Sequence, residues 1–267
     1  MPQRHTQVRR YAAATTRAPR RRPHSRREAI QPSRLAPVNA DENGGTQVEV
    51  VRVFTDAAGQ WGNALGIARG GDVAGVDHQE LAARLGYSET VVVENPTDDI
   101  ARMRIYTPAI ELPFAGHPTV GAAWWLADQG TPVTTLEVPA GPVAVDAADG
   151  LTWVRARAEW APDFTFHEFD DLELLRTLHP ADFDSGQHYV WAWTDRARGT
   201  VRSRMFAPAM GIAEDEATGA AAIALTARLE RDLDITQGQG SQLFTRHDPG
   251  GWVDLGGRVV PDHPVVL

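Results

Sequence analysis

The chain has 267 residues, no cysteine and a formal charge of −9; it can bury a substantial core, and disulfides, thiolate metal sites and cysteine nucleophiles are excluded. No apolar run approaches the roughly 20 residues that cross a bilayer, so a soluble, cytoplasmic protein without a membrane partner is expected. All 26 cations are arginine: ten lie before residue 46 against three acids, and sixteen lie beyond it against 32 acids. A body so acidic repels phosphates, and nucleic acid is not expected as its partner.

Residues 1–45 are basic and carry Pro, Ser and Thr without any apolar period, which reads as a disordered extension. Their composition suits a transit peptide, a nucleic-acid-binding tail or a start codon assigned too early; the plainest reading is an extension with no part in the chemistry. Order is expected from "TQVEVVRVFTD", a β-branched strand running to about Phe54. "DHQELAARLGYSE" reads as a short helix with Asp77 as cap, Glu80 three positions on and Gly86 as terminator. "ETVVVE" is a strand. "PTVGAAWWLADQG" is a helix apolar nearly all round, hence buried, ending at Gly130. "ATGAAAIALTARLERDL" is a third helix, apolar first and charged towards its end. "TTLEVPAG", "GPVAVDA", "LTWVRA", "HYVWAW" and "GWVDLGG" are short strands.

An internal repeat organises these elements. "RMRIYTPA" (Arg102 to Ala109) matches "RSRMFAPA" (Arg202 to Ala209) at an offset of 100 residues, and "SETVVV" matches "HYVWAW" at the same offset. After a one-residue gap "PTVGAA" matches "ATGAAA", which sets Thr119 on Thr218 and His117 opposite Glu216. The fold class expected is α+β, with two pseudo-symmetric halves, residues 46–130 and 131–267, each wrapping strands around one apolar helix. The last strand is free to return to the first half. The cleft between halves is the natural ligand site.

Each buried helix begins with glycine, alanine and threonine, so a ligand can come close to its free N–H groups. Such an end favours an anion, and two of them facing one cleft suit a small carboxylate. Gly116, His117 and Pro118 open the first helix, with His117 at its entrance; a buried structural histidine is the alternative reading. Glu214, Asp215 and Glu216 precede the second, where capping alone accounts for Glu214 and Glu216. Glu89 opens the apolar strand "TVVV", where a carboxylate is costly unless solvated, paired or functional. Burial there would raise its pKa towards neutrality. Its repeat partner is Tyr189, no base at neutral pH, so one carboxylate moving a proton between carbons fits better than a two-base racemase.

"SETVVVENP", "RIYTPAIELPFAGHPTVGAA" and "RMFAPAMGIAEDEATGAAA" resemble the PhzF-type phenazine-biosynthesis family, relatives of diaminopimelate epimerase in fold. The likeness runs from about Val51 to "VDLGG". It implies two diaminopimelate epimerase-like halves, each a strongly curved sheet around a buried helix. It also implies isomerisation of trans-2,3-dihydro-3-hydroxyanthranilate without metal or organic cofactor, and a homodimer. On the matching motifs, Glu89 is the proton shuttle, His117 and Asp215 line the substrate, and Gly116 and Gly219 turn their backbone to it. The family's "EDPATGSA" reads "EDEATGAAA" here, placing Glu216 for proline and Ala220 for a substrate-facing serine. "GNP" appears as Gly62-Asn63-Ala64, and the stretch between "GPVAVDA" and "RMFAP" is short.

The function expected is a cofactor-independent isomerase of a small carboxylate, with Glu89, His117 and Asp215 at work and the anion on N–H groups near Gly219 and Ala220. A binding or scaffold protein without chemistry, and an epimerase using Glu89 and Asp215 from opposite faces, are the alternatives.

Overall fold

The computed structural model describes residues 46–183, 185–208 and 211–267. The extension read in residues 1–45 lies outside these, as does Ala209 at the end of the second repeat. In chain order, β1 (Gln47–Thr55) and β2 (Asn63–Arg69) pair antiparallel. β-Branched residues crowd β1 and bury Val48, Val50, Val51 and Val53. Helix α1 (His78–Leu85) starts where the Asp77 carboxylate accepts the N–H groups of Gln79 and Glu80, and stops at left-handed Gly86. β3 (Glu89–Val93) then pairs parallel to β2 and antiparallel to β4 (Ile100–Tyr106), which also carries the two-residue β5 (Glu111–Leu112).

Helix α2 (Gly116–Asp128) buries ten of its thirteen residues against β1, β2 and β3. Taking side chains such as Val120, Trp125 and Leu126 out of water stabilises by roughly 1.5–3 kcal/mol each, so burial, not helix propensity, holds this segment. β6 (Thr135–Val138), β7 (Gly141–Ala148) and β8 (Leu151–Arg157) follow beyond residue 130 and continue the first sheet through β4.

The pattern then repeats. β9 (Thr165–Glu168), α3 (Leu172–Thr177), β10 (His188–Asp195), β11 (Thr200–Ala207) with β12 (Ile212–Asp215), α4 (Gly219–Leu229), β13 (Leu233–Gln237), β14 (Ser241–Asp248) and β15 (Trp252–Pro261) occupy matching places, before a final β16 (Val265–Val266). Read outward, β8-β7-β6-β4-β3-β2 mirrors β15-β14-β13-β11-β10-β9, with the same alternation of parallel and antiparallel neighbours. Even an ion pair repeats: Arg104 grips Glu111 on β5, and Arg204 grips Glu214 on β12. The expected pair of pseudo-symmetric halves, each a curved sheet around a buried helix, forms. The expected boundary at residue 130 is corrected: β6, β7 and β8 belong to the first sheet, because β6 pairs with β4.

The halves differ in closure. β15 pairs with β8, β14 and β1, so β1-β2-β3-β4-β6-β7-β8-β15 returns to β1 as a ring of eight strands around α2. The second sheet ends at β9, which among the described strands pairs with β10 alone, and the short 3₁₀ turn Ala158–Trp160 packs on α4 instead. One apolar core runs through both halves. Helix α4 is shorter than its sequence suggests: Glu230 turns left-handed at φ 52°, releasing buried Leu233 to open β13 beside β11. No helix among the described residues is long and apolar enough to cross a membrane.

Candidate active site

The starts of α2 and α4 meet. A Cβ built on Gly116 would lie 2.9 Å from the Gly219 carbonyl carbon, and one on Gly219 would lie 3.0 Å from the His117 nitrogen. Both would also strike Leu255. These glycines therefore allow two helix ends to touch. Neither end is closed by a side chain: the caps are Ala115 and Thr218, and no side-chain capping bond forms at either. The first N–H groups of both helices, which have no carbonyl a turn earlier to bond, thus gather at one place. Ala220, in the first turn of α4, is buried and brings no polar atom.

Three titratable side chains come to this junction. His117 is held almost fully buried by α2, with its Nδ1 3.2 Å from Oε2 of Glu89 at the start of β3; the side chains are 4 % and 19 % exposed. That contact orients the ring and leaves Nε2, which is buried and finds no hydrogen-bond partner among the described residues. A buried ring nitrogen left unpaired costs about 1–3 kcal/mol, so it marks a place where a polar group of a ligand is wanted.

Asp215 arrives from the other half, at the end of β12. Its Oδ1 accepts from Asn63 Nδ2 at 2.7 Å and its Oδ2 from the Thr218 hydroxyl at 2.5 Å, which occupies the hydroxyl that would otherwise cap α4. Gln237 fixes the backbone by donating to the Asp215 carbonyl at 3.0 Å and to Thr218 Oγ1 at 2.8 Å.

The electrostatics separate the two carboxyls. Burial pushes Asp215 up, helped by the negative charge of Glu89 and opposed by Thr218, His117 and Asn63, to a pKa of about 6. Burial alone would raise Glu89 as well, but the charge of His117 and its contact outweigh this, and Glu89 sits below the ordinary carboxylate value. The expectation of a Glu89 raised towards neutrality is thus corrected: its partner is an imidazole, not an apolar wall. Around pH 7 Glu89 is ionised, whereas Asp215 carries a proton in mildly acidic solution.

The sequence-derived trio is brought together. Glu214 and Glu216 do not cap α4 as expected. Glu214 is the bidentate partner of Arg204 at 2.8 Å, and Glu216 bonds to Gln239 and Ser241 across the strand turn. Asn63, Thr218 and Gln237 were not foreseen as site residues. Asn63 stands in "GNA", where a signal existed; Gln237 follows an alternating strand and carries none.

The chain matches the family model described as phenazine biosynthesis-like protein, PhzC-PhzF, over residues 51–178 and 181–248. It is 34 % identical over 213 residues to a Pseudomonas aeruginosa protein named trans-2,3-dihydro-3-hydroxyanthranilate isomerase, covering 65 % of this chain and 76 % of that one. Among solved structures, a phenazine biosynthesis protein of the PhzF family from Bacillus anthracis superposes with a TM-score of 0.67 at 19 % identity, over 84 % of this chain and 99 % of its own. A hydroxyproline epimerase from Agrobacterium vitis superposes with a TM-score of 0.55 at 13 % identity, over 85 % and 94 %. These likenesses carry the diaminopimelate epimerase-like fold, and the matched motifs and relatives go further: the chain belongs to the PhzF, phenazine biosynthesis-like, family of isomerases.

Proposed function

We propose that the protein moves a proton between carbons of a small, cyclic carboxylate resembling dihydro-hydroxyanthranilate, with Glu89 as the single acid/base. The observation that carries this is the Glu89–His117 pair at the junction of two uncapped helix starts, with the second nitrogen of His117 unpartnered. The substrate carboxylate would rest on the N–H groups near Gly219 and Ala220, where backbone donors and helix dipoles favour a negative charge.

Glu89 takes a proton from a saturated ring carbon, breaking that C–H bond. The electron pair shifts along the conjugated system, and Glu89, its acid proton exchanging with solvent, delivers a proton to another carbon on the same face. Nothing is oxidised or reduced. His117 holds Glu89 and offers Nε2 to a polar substituent, and Asp215, protonated in part near pH 6, serves as hydrogen-bond donor to the charge that develops. Such proton transfer by a positioned side chain contributes about 10²- to 10⁴-fold.

The test is NMR of the protein with trans-2,3-dihydro-3-hydroxyanthranilate in deuterated buffer, beside Glu89→Gln. Turnover by the parent alone, with deuterium at the new C–H bond, is the expected result; equal turnover by the variant removes the mechanism. A second reading is favoured by the raised pKa of Asp215: two carboxyls with different proton affinities suit a two-base epimerase. It predicts inversion of a stereocentre without double-bond migration, and loss of that inversion in either Glu89→Gln or Asp215→Asn.

A further inference from the structure

Glu216 and the glycine-rich stretch "GQGSQ" have no part in the chemistry above, yet they meet. The Glu216 carboxylate accepts the Gln239 N–H with both oxygens at 2.9 Å, and its Oε1 accepts the Ser241 hydroxyl at 2.7 Å. Gly238, at φ 58°, lies where any Cβ would collide with that carboxylate. Ser241 Oγ in turn accepts the N–H of Gly62, a buried bond of 2.9 Å that crosses from one half to the other. Trp61 and Gly62 are both left-handed, at φ 65° and 79°. Two such residues in a row, one aromatic, are a strained corner that surrounding contacts must hold. The Trp61 ring lies on Gly240, where a Cβ would come within 2.6 Å of the indole. The next residue, Asn63, spans Asp215 Oδ1 at 2.7 Å and the Ala217 carbonyl at 3.3 Å.

The contacts form a circuit. Asp215 and Glu216 are neighbours in the chain; one is bound by the Asn63 amide, and the other reaches Gly62 through Ser241. We propose that Glu216 and Ser241 are positioning residues: their clasp on Gly62 sets the Gly62–Asn63 corner at the height that brings the Asn63 amide onto Asp215. This rests on the reading of Asp215 as a substrate-lining acid. Without the clasp the corner relaxes and the amide withdraws. Asp215 then loses a bond that favours its ionised form. The other titratable groups facing Asp215 are Glu89 from β3, His117 from α2 and Tyr189 from β10; none touches Ser241, so a change in Asp215 on breaking the clasp reports the corner.

The experiment follows the ¹³C carboxyl resonance of Asp215 against pH in the full chain, in the parent, Ser241→Ala, Glu216→Ala and Asn63→Ala. Asn63→Ala sets the scale. Both clasp variants are expected to raise the Asp215 midpoint by about half a unit or more towards that value, and to broaden the Asn63 amide resonances. A fall in melting temperature with the Asp215 midpoint unmoved would show a merely structural bond and overturn the proposal. If Ser241→Ala fails to fold, Glu216→Ala, which leaves the buried serine in place, decides in the same way. No substrate enters the readout, so an isomerase reading that fails leaves this result standing, and the reverse also holds.

Discussion

Glu89 and Tyr189 stand one hundred residues apart on matching strands of two matching sheets, but the ladders shift the expected match by two places: Tyr189 faces Met205 as Val91, not Glu89, faces Ile105. Glu89 is partly open and touches an imidazole through one carboxylate oxygen. Tyr189 is fully buried, and its hydroxyl is consumed by Ser203 at 2.9 Å and Gln237 at 3.1 Å; burial pushes its pKa far above the range in which it could act as a base. Gln237 passes this order on to Thr218 and the Asp215 backbone. The first half therefore offers a reactive pair, and the second spends the same strand on a saturated network that steadies one acid. A repeated scaffold supplies two equivalent strands; what burial and hydrogen bonding leave unfilled decides which of them can react.

Removing the reactive side should cost most. Glu89→Gln is expected to lower turnover by about 10²- to 10⁴-fold in the deuterium-exchange assay while the fold persists; a variant within tenfold of the parent would make the halves chemically alike. Asp215 tests the steadied side through pH. Its folded pKa of about 6 lies above the ordinary 3.8, so the folded state binds the extra proton. Stability then falls as pH rises between these values, by about 3 kcal/mol at full effect. Asp215→Asn should melt higher than the parent above pH 6, by roughly 1–3 kcal/mol, and lose that slope. Calorimetric melts from pH 4 to pH 8 check this, and parallel curves would refute it. For Glu89 the sign is opposite: its lowered pKa gives stability that is present above the ordinary carboxylate value and lost on acidification.

The junction of the halves comes next. Gly219→Ala forces a methyl group against Leu255 and His117, and overpacking of this kind costs about 1–3 kcal/mol; urea titration should show it, with turnover falling further than stability because His117 is displaced. The smallest effect belongs to Tyr189→Phe, which removes one buried hydroxyl. About 1 kcal/mol of stability is expected to go, with the pH midpoint of turnover unchanged. A change in that midpoint would mean that the second half's network reaches the chemistry.

Much of this was legible in the chain. The repeat and the two apolar helices are written in local patterns that keep their spacing, and Glu89 and His117 stand out within theirs. Asp215 is told from Glu214 and Glu216 only by the family resemblance. What escaped depends on contacts between distant segments. The sign of the Glu89 shift turns on the His117 ring, 28 positions away, and Glu216 reads as a helix cap until the strand turn near Gln239 is seen to take it. Helix α4 carries good helix formers past Leu229, but pairing of Leu233 in β13 overrides them. β2 is poor in β-branched residues and carries no strand signal, which hides the place of Asn63.

The closing of the first ring has a consequence for synthesis. β1 is made early, yet its partner across the ring, β15, lies some 210 residues later, as the contact of Arg52 with Asp262 measures. At about 5–20 residues per second, a ribosome leaves that seam open for roughly 10–40 s. During this time β1 presents an unpaired hydrophobic edge of the kind that recruits other chains. Truncations that stop before β15 should emerge as aggregates or chaperone clients, and emergence of β15 is the step that seals the first half.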